Sequence, residues 1–262
     1  RRSDELGQLA RDFDRMAERI QSLLAKQQEL LGDISHELRS PLARLSVSLE
    51  LAERGDTDAF ARMETDIARL DMLITQVLTL TRLRTRGEEK TDTVVDLKAL
   101  LESVVEDAII EGSKENKPVV ITRADACWMV GDIALLRSCV ENVLRNAVRY
   151  TDPGTDVQVS LRVDDRQLKT ARLLVEDCGP GVPERALPRI FEPFYRVEES
   201  RDRKFGGSGL GLSIAQKAVV LHGGSISACN RTTGGLAVEI RLPVAVTPVS
   251  EHPAPSGACS TS

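Results

Sequence analysis

The chain has 262 residues, of which 41% are apolar, 29% charged and 3% aromatic, and its net charge is −5. That length holds one large domain or two ordinary ones, and the apolar share is enough for a sizeable core. An acidic balance with few rings argues against direct nucleic-acid binding, which needs a basic face or stacking platforms. The five cysteines, an odd number without C-x-x-C spacing, suggest neither a disulfide framework nor a zinc site and are read as buried reduced thiols. No run of 18 apolar residues exists, so no segment is expected to span a membrane, and no signal peptide is present. The first residue is Arg1 rather than Met and lies inside a helical pattern, so the chain reads as a fragment of a longer protein.

Leu6, Leu9, Phe13, Met16, Ile20 and Leu23 step by three or four residues, and beyond Gln27 the series continues as Leu30, Ile34, Leu38, Leu42, Leu45 and Leu49. This near-heptad seam predicts a helix from about residue 6 to 53, roughly 70 Å long, that cannot bury its stripe alone. Arg54-Gly55-Asp56-Thr57 breaks it, with Gly as the stop and Asp or Thr as the next N-cap. A second seam of Phe60, Met63, Ile67, Leu70, Ile74 and Val77 completes an antiparallel hairpin. Two such hairpins would close a four-helix core, so a homodimer is expected in preference to a lone hairpin packed on the second domain. The polar stretch 86–95 reads as an interdomain linker.

Beyond it, helices are expected near 97–112, 132–149 and 209–222, and strands near 118–122, 126–130, 156–163, 171–177, 224–229 and 235–242. Strands interleaved with helices on one side suggest an α/β sandwich. The tail 244–262, rich in Pro, Ser, Thr and Ala, is expected to be disordered.

Three histidines occur. His36 lies about 200° around the helix from the seam residue Ile34, on the solvent side, where a neutral imidazole is a usable nucleophile. Glu37 adjoins it and could orient the ring or take its proton. Ser40 is one turn on, over the same face. Pro41 cannot donate to the carbonyl of Glu37, so a kink, and with it a bendable switch, is expected there. A lone surface histidine is usually inert, and only the whole string Ser35-His36-Glu37-Leu38-Arg39-Ser40-Pro41-Leu42 overturns that. His222, before Gly223-Gly224, reads as a helix-capping position, and His252 lies in the tail.

Four strings in the second half carry phosphate chemistry. In Glu141-Asn142-Val143-Leu144-Arg145-Asn146-Ala147-Val148-Arg149-Tyr150, Asn142 and Asn146 are one turn apart, so both amides face one way and offer neutral oxygens suited to Mg²⁺. Arg149 can meet phosphate charge, and a generic polar face is the plainer reading. Asp177-Cys178-Gly179-Pro180-Gly181 puts a carboxylate before glycines that let backbone approach a ligand, and is weak by itself. Ile190-Phe191-Glu192-Pro193-Phe194-Tyr195-Arg196 could be a small aromatic core cluster. Gly206-Gly207-Ser208-Gly209-Leu210-Gly211-Leu212 opens a helix, and its backbone N–H groups suit phosphate, with Arg203 and Lys204 as further contacts. Walker A, H-R-D and D-F-G signatures are all absent.

Taken together, over roughly residues 1–243, these strings resemble the H, N, G1, F and G2 boxes of sensor histidine kinases. The wording around His36 and Glu192 looks closest to envelope-stress kinases of the Cpx type. The resemblance implies a helical hairpin dimerising as a four-helix bundle, followed by an α/β sandwich ATP-binding domain of the GHKL (Bergerat) type. It divides the chain into the end of a HAMP linker at 1–25, a dimerisation and phosphotransfer domain at 26–86, a linker at 87–96, a catalytic domain at 97–243 and a tail at 244–262.

What it implies chemically is ATP-dependent phosphorylation of His36, with Glu37 and Ser40 assisting. ATP and Mg²⁺ would be held by Asn142, Asn146, Arg149, Tyr150, Asp177, Gly179, Gly181, Phe191, Arg203, Lys204, Gly207, Gly209, Leu210, Gly211 and Leu212. In that picture the carboxylate of Asp177 reads the adenine amino group, and the segment at Phe191 leads a lid over ATP. The phosphoryl group would pass to the receiver domain of a response regulator of the winged-helix, OmpR-like class. A missing upstream sensor would tie the fragment to the cytoplasmic face of a bacterial inner membrane. The family often has Thr or Asn where Ser40 stands, a position linked to phosphatase action. Rival readings are an ATPase of the Hsp90, MutL or gyrase type, whose water-activating Glu is here Asn142, and a silent dimeric scaffold.

Overall fold

The computed structural model describes residues 2–85, 93–113, 115–164, 169–197 and 207–244. Two compact units emerge, one of residues 1–87 with 189–214 and the other of residues 88–188 with 215–262.

In the first unit, α1 spans Arg2–Glu53 and remains helical on both sides of Pro41, whose ring is buried. Gly55 ends it at φ +90, a left-handed conformation only glycine adopts freely, and Asp56 N–H closes back on Leu51 O at 3.0 Å. Asp56 Oδ1 then accepts from Asp58 N at 2.9 Å, starting α2, which spans Asp58–Thr85. Ala59, Leu73, Leu80 and Leu83 are buried along the hairpin, and Arg44 of α1 pairs with the buried Asp66 of α2. A second apolar face stays open: Leu31, Leu42, Val47, Phe60, Ile67 and Leu78 are all more than half exposed. The buried positions of α2 lie off the two seams named from the sequence, and the seam residues Leu42, Leu49, Phe60, Ile67 and Ile74 are exposed.

The second unit begins with β1 (Val94–Asp96), at the end of the stretch read as linker, which pairs antiparallel with β3 (Trp128–Val130). After α3 (Leu97–Ser113) come β2 (Val119–Ala124), α4 (Ile133–Tyr150), β4 (Val157–Asp164) and β5 (Thr170–Glu176). A 3-10 turn at Leu187–Arg189 and α5 (Gly211–Leu221), each divided between the two units, are followed by β6 (Ser225–Asn230) and β7 (Leu236–Pro243), which complete the order. Five strands form one sheet in the order β2-β4-β5-β7-β6, parallel between β2 and β4 and antiparallel elsewhere.

Alternation explains which face is covered. Val157, Val159 and Leu161 of β4, Ala171, Leu173 and Val175 of β5, and Val238, Ile240 and Leu242 of β7 are buried, and Arg162, Arg172 and Arg241 between them are exposed. The buried stripes of α3 (Leu97, Leu101, Val104, Val105) and α4 (Leu136, Val140, Val143, Leu144) complete this core. Each such side chain contributes about 1.5–3 kcal/mol by leaving water, and Leu144→Ala would cost about 2–5 kcal/mol once its cavity is counted.

The α4 helix starts where expected: Asp132 Oδ1 accepts from Ala134 N at 2.9 Å and Leu135 N at 3.2 Å. The cysteine expectation needs correction. Cys127 and Cys139 are buried, their thiols pushed up to about 11 and about 12 by desolvation, but Cys178 is half-buried and Cys229 exposed. Cys229 follows the two-residue alternation of β6 and falls on its open side. Cys259 lies outside the described residues.

Candidate phosphoacceptor and nucleotide sites

On α1, His36 is exposed and its imidazole has no hydrogen-bond partner among the described residues. Glu37 is half-buried beside it, and Ser40 is exposed one turn on. Ser40 Oγ accepts from Arg44 Nη1 at 2.9 Å, and Arg44 also donates through Nε and Nη2 to Asp66 Oδ1 at 2.9 and 2.5 Å. His36, Ser40 and Arg44 therefore form a column at four-residue steps, the last of them fastened to α2. Sequence reading singled out the first two and missed Arg44, whose partner lies across the hairpin.

In the second unit, Asp177 closes β5 and is only 3% exposed. Its Oδ1 accepts from Gly179 N at 2.9 Å and from Leu236 N at 3.1 Å. Burial raises the carboxyl above its ordinary range, and the two N–H donors and Arg231 pull it back in part. With Oδ1 engaged, the second oxygen is the one left for a ligand's amino group.

The glycines around Asp177 are required sterically. A Cβ on Gly179 would lie 2.1 Å from Tyr150 O, so the end of α4 packs directly on this turn. Gly181 has φ +72 and a Cβ there would sit 2.8 Å from Asn230 Oδ1. Thr151 Oγ1 accepts from Cys178 N at 3.1 Å, joining the same two segments. The end of the Asn142–Tyr150 string and the Asp177 string, read separately in the sequence, thus meet.

Within α4, Asn142 is buried and donates Nδ2 to Ser138 O at 2.7 Å, which fixes its amide. Asn146, one turn on, is half-buried with no protein hydrogen bond among the described residues, so its amide remains for water or a ligand. Arg149 and Tyr150 are half-buried on the following turn. Two amide oxygens one turn apart are hard neutral donors, and that set fits Mg²⁺ when phosphate oxygens supply further positions.

The remaining strings belong to the first unit. Phe191 is buried, Phe194 sits at φ 62, and Phe194 N donates to Gly209 O at 3.0 Å. Gly209 at φ +71 could carry no side chain, since a Cβ would lie 2.7 Å from Phe194 C. Leu210 is fully buried and its N–H is met by Ser208 Oγ at 3.2 Å, leaving Gly207 half-buried before it and Gly211 and Leu212 in the first turn of α5. First-turn N–H groups of a helix have no partner within it and attract anions. Arg203 and Lys204 lie outside the described residues.

Three supporting residues escaped the sequence reading. Arg231 donates to Asp177 O at 2.7 Å and pairs with Glu176 at 3.2 Å. Asn230 accepts from Val182 N and returns a bond to Val182 O, bracing the turn after Gly181. Gly235 sits at φ +94, where a Cβ would overlap Asp177 O at 1.9 Å. His222 does more than end a helix: its Nε2 accepts from Asp132 N at 2.9 Å, so Nδ1 carries the proton toward Ala218 O at 2.7 Å. Among the described residues, no group of three His, Cys, Asp or Glu could hold a metal, and no helix is long and apolar enough to cross a membrane.

Comparison with known families bears on these sites directly. Residues 26–86 match the His Kinase A (phospho-acceptor) domain, and residues 131–246 match the Histidine kinase-, DNA gyrase B-, and HSP90-like ATPase family. The chain is 35% identical to the Sensor histidine kinase CpxA of Escherichia coli (strain K12) over 235 residues, 88% of this chain and 50% of that protein. It spans about half the length of the curated relatives it matches. Among solved structures, full-length ShkA in complex with AMPPNP superposes with a TM-score of 0.62 at 26% identity, covering 84% of this chain and 46% of that one. The mycobacterial sensor histidine kinase MprB gives 0.51 at 29% identity, covering 58% of this chain and 98% of that one.

Proposed function

We propose, from the premise that this chain belongs to the sensor histidine kinases, that it moves the γ-phosphoryl group of ATP onto His36 and from there to an aspartate of a response regulator. The observation that carries the reading is the presence of both an exposed imidazole without a partner among the described residues, inside the phospho-acceptor match, and a buried Asp177 carboxylate inside the ATPase match. An imidazole nitrogen attacks the γ-phosphorus, an N–P bond forms, the bond to the bridging oxygen breaks and ADP leaves. Glu37 is the neighbour that orients the ring and receives its proton. Asp177 accepts from the adenine amino group, and the Gly207–Leu212 backbone meets the phosphates with Arg203 and Lys204. Asn146 and Asn142 would hold Mg²⁺, which neutralises phosphate charge when bound.

The open apolar face of the α1–α2 hairpin supports a homodimer closed as a four-helix bundle. We assign residues 1–25 to the end of a HAMP linker, 26–86 to dimerisation and phosphotransfer, 87–96 to a linker and 97–243 to catalysis. The regulator is of the winged-helix, OmpR-like class, and the intact protein sits at the inner membrane with this portion on the cytoplasmic side. Ser40, one turn from His36, holds a water against the phosphorylated aspartate of the regulator and so supports dephosphorylation in a second conformation. Incubation with γ-labelled ATP tests the central claim: acid-labile protein label is expected. Free phosphate without protein label would instead mark a hydrolase, which Asn142 in place of a water-activating Glu argues against.

A further inference from the structure

Ser35, Ser46, Thr65, Thr79 and Thr81 on the hairpin each donate to the carbonyl four residues back, the ordinary fate of a helical hydroxyl. Ser40 departs from this pattern. Its one described hydrogen bond is with Arg44, whose Nη1 donates to Oγ at 2.9 Å. Arg44 is not a loose surface cation, because Nε and Nη2 both donate to Asp66 Oδ1, and the Asp66 side chain is 10% exposed on α2. A guanidinium presents its donors in one rigid plane, so anchoring two of them fixes the direction of the third.

We propose that Arg44, held by Asp66, is a positioning residue for dephosphorylation of the response regulator, acting through Ser40. The inference rests on the reading of Ser40 given above. Donation from Arg44 occupies one lone pair of Oγ and keeps the hydroxyl from folding back onto the carbonyl of His36. The second lone pair and the proton are then left for partners other than the helix. That lone pair accepts from a water whose own oxygen attacks the phosphorus of the regulator's aspartyl phosphate. The new P–O bond forms as the bond to the aspartate oxygen breaks. The carboxylate leaves, and both water protons stay on the released dihydrogen phosphate. Neither Arg44 nor Ser40 gains or loses a proton over the reaction.

The test uses the full chain and, as probe, whichever purified receiver domain of the winged-helix class takes label fastest from phosphorylated His36. Decay of the labelled receiver is followed with Mg-ADP for wild type, Arg44→Gln, Arg44→Lys, Ser40→Ala and both double variants. Arg44→Gln and Arg44→Lys are each expected to slow decay about fivefold at saturating receiver, with its KM and His36 autophosphorylation within about twofold of wild type. In the Ser40→Ala background neither change should slow decay further. Equal losses in both backgrounds would overturn the proposal, since Arg44 would then act on hairpin stability or on the phosphoryl group itself. Full activity of Arg44→Lys would overturn it too, since charge alone would then suffice. If Ser40→Ala decays the receiver at the wild-type rate, the reading of Ser40 has failed. If Ser40→Ala is slow and the Arg44 variants are not, only the role of Arg44 has failed. Arg44 variants that melt early are replaced by Asp66→Asn, which keeps an acceptor and is expected to lose about twofold.

Discussion

The helical hairpin and the sheet-bearing unit place their chemistry at opposite extremes of sequence separation. On the hairpin, His36, Ser40 and Arg44 fall within nine residues of one helix, and the helical repeat alone lines them up. Around Asp177 the key bond, from Leu236 N, spans 59 residues, and the contact of His222 with Asp132 spans 90. Both units expose some large apolar residues, but most of the fully buried core belongs to the sheet and its helices. A unit whose site is local can tolerate an incomplete core, and the proposed second copy would finish it. A unit whose site is stitched from distant segments must be folded first.

Substitutions that strike one unit at a time break this comparison most sharply. His36→Gln should abolish protein labelling from γ-labelled ATP while leaving nucleotide affinity within about twofold, and Asn146→Ala should abolish Mg-dependent labelling with the hairpin intact. Label persisting in either variant, measured on acid-sensitive gels, would remove that residue from its role. The next largest effect concerns assembly. A piece covering residues 96–243 should bind ATP as a monomer, whereas the full chain should scatter light as a dimer. A stable dimer of the shorter piece would move the interface away from the hairpin.

Asp177→Asn gives a smaller, two-signed result. Nucleotide affinity should fall about tenfold by titration calorimetry, because an amide nitrogen now faces the adenine amino group. The nucleotide-free protein should meanwhile melt a few degrees higher at neutral pH, about 1 kcal/mol, since a buried charge is gone and the amide oxygen still accepts from Gly179 and Leu236. The sign follows from the raised carboxyl: its cost to the fold is present in full above the folded-state pKa and disappears below the unfolded-state value. The stability gain of the variant should therefore shrink on acidification through the range just above that of an ordinary carboxylate. A gain independent of pH would mean desolvation is not its cause.

The same contrast decides what could be read from the sequence. Both hairpin helices, the Gly55 break and the Asp56 cap follow from periodicity and turn chemistry within a few residues. Helix α4 was equally legible because Asp132 precedes an apolar stripe. Strand β1 was not, since Val94 and Val95 sit at the end of a polar stretch and become a strand only by pairing with Met129 and Val130. Arg231, Asn230, Gly235 and Arg44 escaped for one reason: each acts on a partner brought to it by the fold, and no local pattern announces such a partner. The G-x-G after Asp177 carried a signal, but not that Tyr150 is the neighbour excluding a side chain from Gly179.

Strands β5 and β7 lie side by side, yet the chain leaves one at Glu176 and returns at Leu236, with Glu176 opposite Ala237. The described part of that stretch from Asp177 to Gly224 lies outside the sheet, and its two ends are held by β5 and β6 on either side of β7. Closing such a loop costs entropy that grows only with the logarithm of its length, about 0.6 kcal/mol for each doubling. A change of length between Asp177 and Gly224 should therefore carry little entropic penalty to the sheet that holds its ends.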